Sequence, residues 1–228
     1  MNYDYYYNNV PGIGLCRNNL IYTSLISTDK KTFVQWYHND GDYHKGQNTV
    51  DPSLMKSKWD REMHFLHNMQ HHNPNMVPKI LDVSVPERKI YLEIDGADFW
   101  ELAGCDHNNF SKVLSDWQEQ MLAIIKAHKA RGWYKYSMHP SSYFLVDGQL
   151  KSINYFFTYS RNEGPISIAD HQSHLSDNRQ VELRKNVESM GISWNEPQPL
   201  DVLERLCWES FRTNYPADFI SKVLECIK

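Results

Sequence analysis

The stretch of sequence that decides the fold is WQEQMLAIIKAHKARGWYKYSMHPSSYFLVDGQLKSINYFF, residues 117–157. It predicts, in order, a helix, a loop, a short strand, a turn at Asp147-Gly148 and a second strand. An Asp-Gly pair between two apolar runs is a strong signal for a tight hairpin turn. The centre of the chain is therefore expected to mix helix and strand.

Two pairs of strands are predicted on the N-terminal side of this stretch. Residues 20–26 and 32–37 are rich in β-branched and aromatic side chains and are separated by a polar turn, which predicts an antiparallel hairpin. Residues 79–85 and 89–94 repeat this pattern around a turn at 86–88.

A long helix is predicted between these two pairs of strands. Asp51 fits its N-cap and Pro52 its first helical position. From Leu54 to Met69 the apolar residues recur close to every 3.6 positions. The helix is expected to stop near Pro74.

Two packed helices are predicted at the C-terminal end, over 200–227, with a break at 214–216. Strands come first along the chain and most helices come later, so the predicted fold class is α+β. We expect a small antiparallel sheet with one helix over residues 1–95 and a short, mainly helical region over residues 96–228.

Composition and charge argue against several classes of protein. The chain has 41% hydrophobic and 23% charged residues, which is ordinary for a globular protein. Its formal net charge of −4 gives no reason to expect a nucleic-acid partner, because phosphate binding needs clustered Lys and Arg. No apolar run approaches the ~20 residues that span a bilayer, and the N-terminus does not resemble a signal peptide. The four cysteines form no CxxC pair, so a reduced, cytoplasmic protein without a membrane partner is expected.

Several segments over residues 10–160 resemble, in the correct order, the protein kinase family. REMHFLHNM at 61–69 is similar to the regulatory helix of the small lobe, and KIYLEIDG at 89–96 to the strand that leads into the hinge. Residues 135–146 resemble the catalytic loop. The resemblance implies a two-lobed fold in one kinase-like domain, with an N-terminal arm and small lobe followed by a reduced helical lobe that begins at residue 96.

The acids that perform the chemistry of this family are missing. Phosphoryl transfer needs carboxylates on Mg²⁺ and an aspartate that aligns the nucleophile. The resemblance puts Ser137 at the position of that aspartate, Ser142 at the metal-binding asparagine and Asn154 at the metal-binding aspartate. Neutral Ser and Asn cannot offset a divalent cation as carboxylates do. Catalytic residues, a metal site and bound ATP with Mg²⁺ are therefore not expected here.

The positions that anchor the nucleotide are altered as well. Tyr37, or Trp36, takes the place of the phosphate-anchoring lysine, and Glu62 takes the place of the helix glutamate that pairs with it. Only Gly12 and Gly14 remain of the GxGxxG phosphate loop.

Three functions are compatible with this pattern. The first is an inactive kinase-like protein, a pseudokinase, that binds another protein as a module, scaffold or decoy. The alternative is an atypical nucleotide-dependent phosphotransferase that uses other carboxylates, namely Glu62, Glu93, Asp95, Asp98 or Asp147. The third is a structural component of an assembly, and the many residues with AT-rich codons would fit a viral one in a host cytoplasm.

Plainer roles compete with these functions. Glu62 is expected either to pair with Lys30, Lys31 or Arg61 or to be solvated. A zinc site is conceivable at three histidines with the spacing of one helix face, but a solvated face is expected there; these are His64, His67 and His71.

The dense aromatic residues also allow two roles. Tyr155 and Phe156 are expected to fill the nucleotide cleft. The tyrosines at 3–7 are expected to form an interaction arm, because tyrosine is enriched at protein interfaces. Residues 168–174 are expected to be a plain loop.

Overall fold

The computed structural model describes residues 3–5, 23–37, 52–155, 157–171 and 177–227. It shows a mixed α+β fold with a small antiparallel sheet and several helices, which confirms the predicted fold class. The predictions for Gly12, Gly14 and Phe156 lie outside the described residues.

Five strands form one antiparallel sheet in the order β1-β2-β3-β5-β4. The predicted hairpin is present as β2 and β3, and the second predicted pair as β4 and β5. Their bounds are β1 Tyr3–Tyr5, β2 Thr23–Ser27, β3 Thr32–Trp36, β4 Ile80–Ser84 and β5 Lys89–Glu93.

The interaction arm expected at the N-terminal tyrosines stays a prediction, and its Tyr6 and Tyr7 lie outside the described residues. Tyr3–Tyr5 is strand β1, which pairs antiparallel with β2 and sets Tyr5 opposite Leu25. Tyrosine favours strands, and the outer edge of β2 offers unpaired backbone groups. These three residues therefore belong to the sheet.

Helix α1, Pro52–His72, is the predicted long helix, and Pro52 occupies its first position. Its buried side packs on the sheet through Phe65, Leu66 and Met69, in one cluster with Phe33 of β3. The cluster continues into the central region through residues such as Trp133, Phe144 and Tyr155, so α1 is held from both sides.

The central stretch contains the predicted helix and hairpin. Two short helices precede it, α2 Phe99–Leu102 and α3 Phe110–Val113, and α4 follows as Trp117–Ala130. The hairpin consists of β7 Tyr143–Val146 and β8 Gln149–Ser152. Both residues of its turn have positive φ, 53° at Asp147 and 73° at Gly148, as the primed hairpin turns require.

Two three-residue strands in this region were not predicted. They are β6 Trp133–Lys135 and β9 Thr158–Ser160, which pair antiparallel with Tyr134 opposite Tyr159. Runs of three residues are too short to produce a periodic signal. The pair brings the segment after α4 next to the segment after β8.

The C-terminal part of the described chain is helical. The two predicted helices are α7 Leu200–Ser210 and α8 Ala217–Cys226, with α5 Ile168–His171 and α6 Asp177–Ser189 before them. The prediction of a plain loop was wrong for α5. Its first turn forms because the Asp170 N–H donates to the Ser167 hydroxyl at 3.0 Å, which satisfies an otherwise unpaired backbone donor. No helix among the described residues is long and apolar enough to cross a bilayer.

Candidate functional site

The candidate site lies where β3, α1 and the segment after β8 meet. Tyr37 directly follows β3, and Glu62 reaches it from α1. The Tyr37 hydroxyl donates a hydrogen bond to Glu62 Oε2, and both side chains are fully buried. The two residues are 25 positions apart in the sequence, so it is the packing of α1 on the sheet that brings them into contact.

Burial controls the charge of Glu62. It raises the pKa of this carboxyl to about 8, against the opposing influence of Lys135 and of the backbone N–H of Tyr155. Burial therefore favours the protonated form of this carboxyl. The expected pairing of Glu62 with Lys30, Lys31 or Arg61 was wrong, as was solvation, because the packing of α1 turns this side chain into the core.

The basic residue that opposes the rise in the pKa of Glu62 is Lys135, the last residue of β6. This lysine was not predicted as a site residue from the sequence. Its ammonium group donates to the Ser137 carbonyl oxygen. It also lies 5.6 Å from the ring centroids of both Tyr143 and Tyr155. Burial lowers the pKa of Lys135 to about 7, while Glu62 acts to raise it. No sequence pattern marks such a lysine, because its burial depends on the β6–β9 pair.

The structure brings Ser142 and Asn154 together. The Asn154 Nδ2 lies 3.5 Å from the Ser142 Oγ, and the Ile153 N–H donates to the Ser142 carbonyl oxygen at 2.8 Å. Asn154 has φ 65°, a left-handed conformation that asparagine tolerates better than most residues. Both side chains are buried and neutral, so hydrogen bonding is the chemistry they can offer.

Ser137 contributes differently from Ser142. It is half-buried, and its carbonyl oxygen is the group in contact with Lys135. Across the described segments, no group of three or more His, Cys, Asp or Glu side chains could hold a metal ion. His64, one of the helix histidines, instead packs edge-on against Trp133 at 5.4 Å between ring centroids.

The other carboxylates named as candidates lie around two lysines. Asp95 forms an exposed ion pair with Lys31, and this pair raises the pKa of Lys31, with a smaller contribution from Asp147. Burial lowers the pKa of Lys151, and the negative charges of Asp147 and Glu93 oppose that shift. Solvent weakens such exposed interactions.

Asp98 is separate from that group, because it caps helix α2. Its carboxylate accepts from the Glu101 N–H at 2.9 Å. Burial raises the pKa of Asp98 to about 7. The geometry is that of a helix cap, with the carboxylate directed at the backbone.

A buried serine–histidine contact was missed by the sequence analysis. His139 Nδ1 lies 2.7 Å from Ser141 Oγ and accepts from the Ser141 N–H at 3.2 Å, which caps the short turn Pro140–Ser142. The Asn214 side chain lies 3.3 Å from the other ring nitrogen. Burial lowers the pKa of His139 to about 4, so the ring is neutral. Because both side chains are buried and Nδ1 is used as a cap, the pair positions the loop.

Tyr155 packs in the core between α1 and the central region. Its ring lies 4.2 Å from that of Phe65, and its hydroxyl donates to the Ser152 carbonyl oxygen. His128 of α4 also packs edge-on against Phe65, with 5.1 Å between the ring centroids.

Comparison of the chain with protein-family models and with curated proteins found no match.

Proposed function

We propose that this chain is a catalytically inactive kinase-like protein, a pseudokinase, that acts by binding another protein. The observation that carries the proposal is the buried contact between Tyr37 and Glu62. In active protein kinases a lysine of β3 pairs with a glutamate of the regulatory helix, and this ion pair must be in place for phosphoryl transfer. A tyrosine hydroxyl forms the contact here without bringing a positive charge to a phosphate.

The arrangement of strands supports the kinase-like fold in this proposal. A five-stranded antiparallel sheet with one long helix precedes the helices, as the resemblance implies. The β7–β8 hairpin lies between β6 and β9 along the chain, so residues 135–142 and 153–155 come together. These are the two segments that would carry the catalytic loop and the metal-binding motif.

The chemistry of those two segments supports the absence of ordinary kinase activity. Ser142 and Asn154 contact each other, and both are neutral. Mg²⁺ prefers anionic oxygen ligands, and these two side chains provide none. In a kinase the metal ions bridge two phosphates of the nucleotide and neutralise their negative charge. A kinase-like fold without the metal-binding acids can still bind another protein, because binding needs only the folded surface.

A thermal-shift titration with ATP, with and without Mg²⁺, tests the proposal. A ligand that binds only the native state raises the melting temperature, so we expect no metal-dependent shift for the natural chain. The quadruple variant Tyr37→Lys, Ser137→Asp, Ser142→Asn, Asn154→Asp restores these four side chains and serves as the comparison. A metal-dependent shift in the natural chain would reject the inactive cleft in favour of the atypical phosphotransferase.

The binding role needs its own measurement. The tagged chain, isolated from the cells that produce it, is expected to carry a stoichiometric protein partner. Isolation as a single species, together with nucleotide binding, would contradict the proposal.

A further inference from the structure

An apolar groove runs between helices α6 and α7. Its volume is about 640 Å³, within the range of roughly 300–1,000 Å³ that is usual for binding sites. Met190, the residue that follows α6, adds an exposed apolar side chain to its edge, with 55% of its surface accessible. Its apolar walls are formed by Ile168, Leu183, Val187, Leu203, Leu206 and Cys207.

A second, smaller depression lies on the other side of the same turn of α7. It measures about 240 Å³ and is lined by apolar residues that include Val202, Leu224 and Ile227. Arg205 and Leu206 line both depressions. A ligand that crosses α7 at this turn could therefore place apolar groups on both sides of Arg205.

The exposed ridge of α7 and the turn after it carries charges of alternating sign. Asp201, Arg205, Glu209 and Arg212 are spaced by four, four and three residues, which sets them on one face. All four side chains are exposed, and within the described chain no ion pair involves them. Their charges are available to a partner.

We propose that this groove binds an amphipathic α-helix of a partner protein. The apolar stripe of that helix fills the groove, and its flanking positions carry charges opposite to those of the α7 ridge. Helix-in-groove binding uses apolar anchors at i, i+3 or i+4, and i+7. Alternating charges favour such a helix over an anionic lipid surface, which needs a cluster of one sign. The inference rests on the proposed binding function and assigns its surface.

A charge-exchange variant tests this inference with a peptide library as the probe. The full chain is used to select from displayed peptides of about 15 residues, which form about four helical turns. We expect the selected sequences to repeat apolar residues with helical spacing. The double variant Arg205→Glu, Glu209→Arg should bind them about tenfold more weakly, and peptides with exchanged charges should recover the loss.

The control exchanges charges elsewhere on the surface. Glu119→Lys with Lys126→Glu alters two exposed residues of α4, preserves the net charge and should leave peptide binding unchanged. Circular dichroism and a cooperative melting transition check that both variants are folded. Hydrogen exchange should slow in α6 and α7 when peptide is bound.

Two results would overturn the inference. One is selection that enriches no apolar helical repeat, and the other is equal affinity for the natural chain and the charge-exchanged variant. In the second case the peptides bind elsewhere, so the proposed binding function would stand without this surface. Failure of the proposed function itself would appear as the metal-dependent nucleotide shift, which these substitutions do not affect.

Discussion

Arg61 of helix α1 forms a two-point ion pair with Glu163, which lies just after β9. Its Nε donates to Glu163 Oε1 at 2.9 Å, and its Nη2 contacts Oε2. The guanidinium group also lies 4.7 Å from the ring centroid of Tyr159, and Lys58 donates to the hydroxyl of that tyrosine at 2.9 Å. These contacts fasten α1 to the segment that follows the candidate site.

Removing the charge of Glu163 should weaken this attachment. Glu163→Gln is expected to lower the free energy of unfolding by about 1 kcal/mol, because a two-point Arg–carboxylate pair is stronger than an ordinary exposed pair. The glutamine can still accept from the Ser160 N–H, which Glu163 does at 2.7 Å. A double-mutant cycle with Arg61→Met, followed by denaturant unfolding, measures the coupling. The exposed Lys56–Asp60 pair is the control, and Asp60→Asn should change stability far less.

Loss of the Tyr37 hydroxyl should destabilise the core. Tyr37→Phe leaves Glu62 Oε2 buried without its donor, which costs about 1–3 kcal/mol. Tyr134→Phe, at a half-buried position, is the matched control and should change the free energy of unfolding little. Equal effects of the two substitutions would show that the Tyr37–Glu62 contact contributes nothing specific.

Glu62 should make the chain less stable as the pH rises. Its pKa is about 8 in the folded state and 4.5 as the ordinary value, so between these pH values the folded state holds more protons than the unfolded state. Its contribution to stability is therefore present below pH 4.5 and is lost as the pH rises through 8. Glu62→Gln keeps an acceptor for Tyr37 and removes the titration.

The measurement for this prediction is the difference in unfolding free energy between the natural chain and Glu62→Gln. We expect that difference to fall as the pH rises from 4.5 to 8. Comparing the two chains cancels the contributions of groups that Glu62 does not influence, such as His128, whose pKa is lowered to about 3 by burial and which therefore acts in the opposite direction below pH 6.5. Lys135 does not cancel, because Glu62 raises its pKa, so the measured difference belongs to the Glu62–Lys135 pair. A difference that is flat across this range would contradict the buried, protonated state of Glu62.

Lys129 should stabilise the packing of α4 on α7 by neutralising a buried acid. Its ammonium group lies 3.0 Å from Glu204 Oε2, and the Glu204 side chain is only 3% exposed. Lys129→Met leaves that acid unpaired and is expected to lower the free energy of unfolding by about 3 kcal/mol. Adding Glu204→Gln should restore part of the loss, because a neutral amide costs less to bury. If the second substitution restores nothing, loss of the lysine stem rather than of its charge is responsible.

Local signals in the sequence were sufficient for most regular elements. Proline at the start of α1, helical periodicity in α1, α7 and α8, and the Asp147-Gly148 turn each act over a few neighbouring residues. These elements appear in the structure with bounds that differ by a few residues from the predictions. The pairing of β6 with β9 was missed, because three-residue strands become stable only when tertiary contacts bring them together.

The candidate site was identified in part by sequence. Tyr37, Glu62, Ser142 and Asn154 were named from the kinase resemblance, and the structure brings Tyr37 to Glu62 and Ser142 to Asn154. Lys135 was missed, because a single lysine at the end of a three-residue strand has no pattern that distinguishes a buried side chain from a solvated one.

The sequence by itself determined the helices α1, α4, α7 and α8 and the predicted hairpins, since each depends on residue types at short spacing. Only the tertiary structure decided which polar groups meet. Tyr37 and Glu62 are 25 residues apart, and Arg61 and Glu163 are 102 apart. Contacts at such separations depend on how α1 packs against the sheet and the central strands, where close packing leaves each buried side chain few possible neighbours. That packing placed Glu62 in the core and Arg61 at its edge.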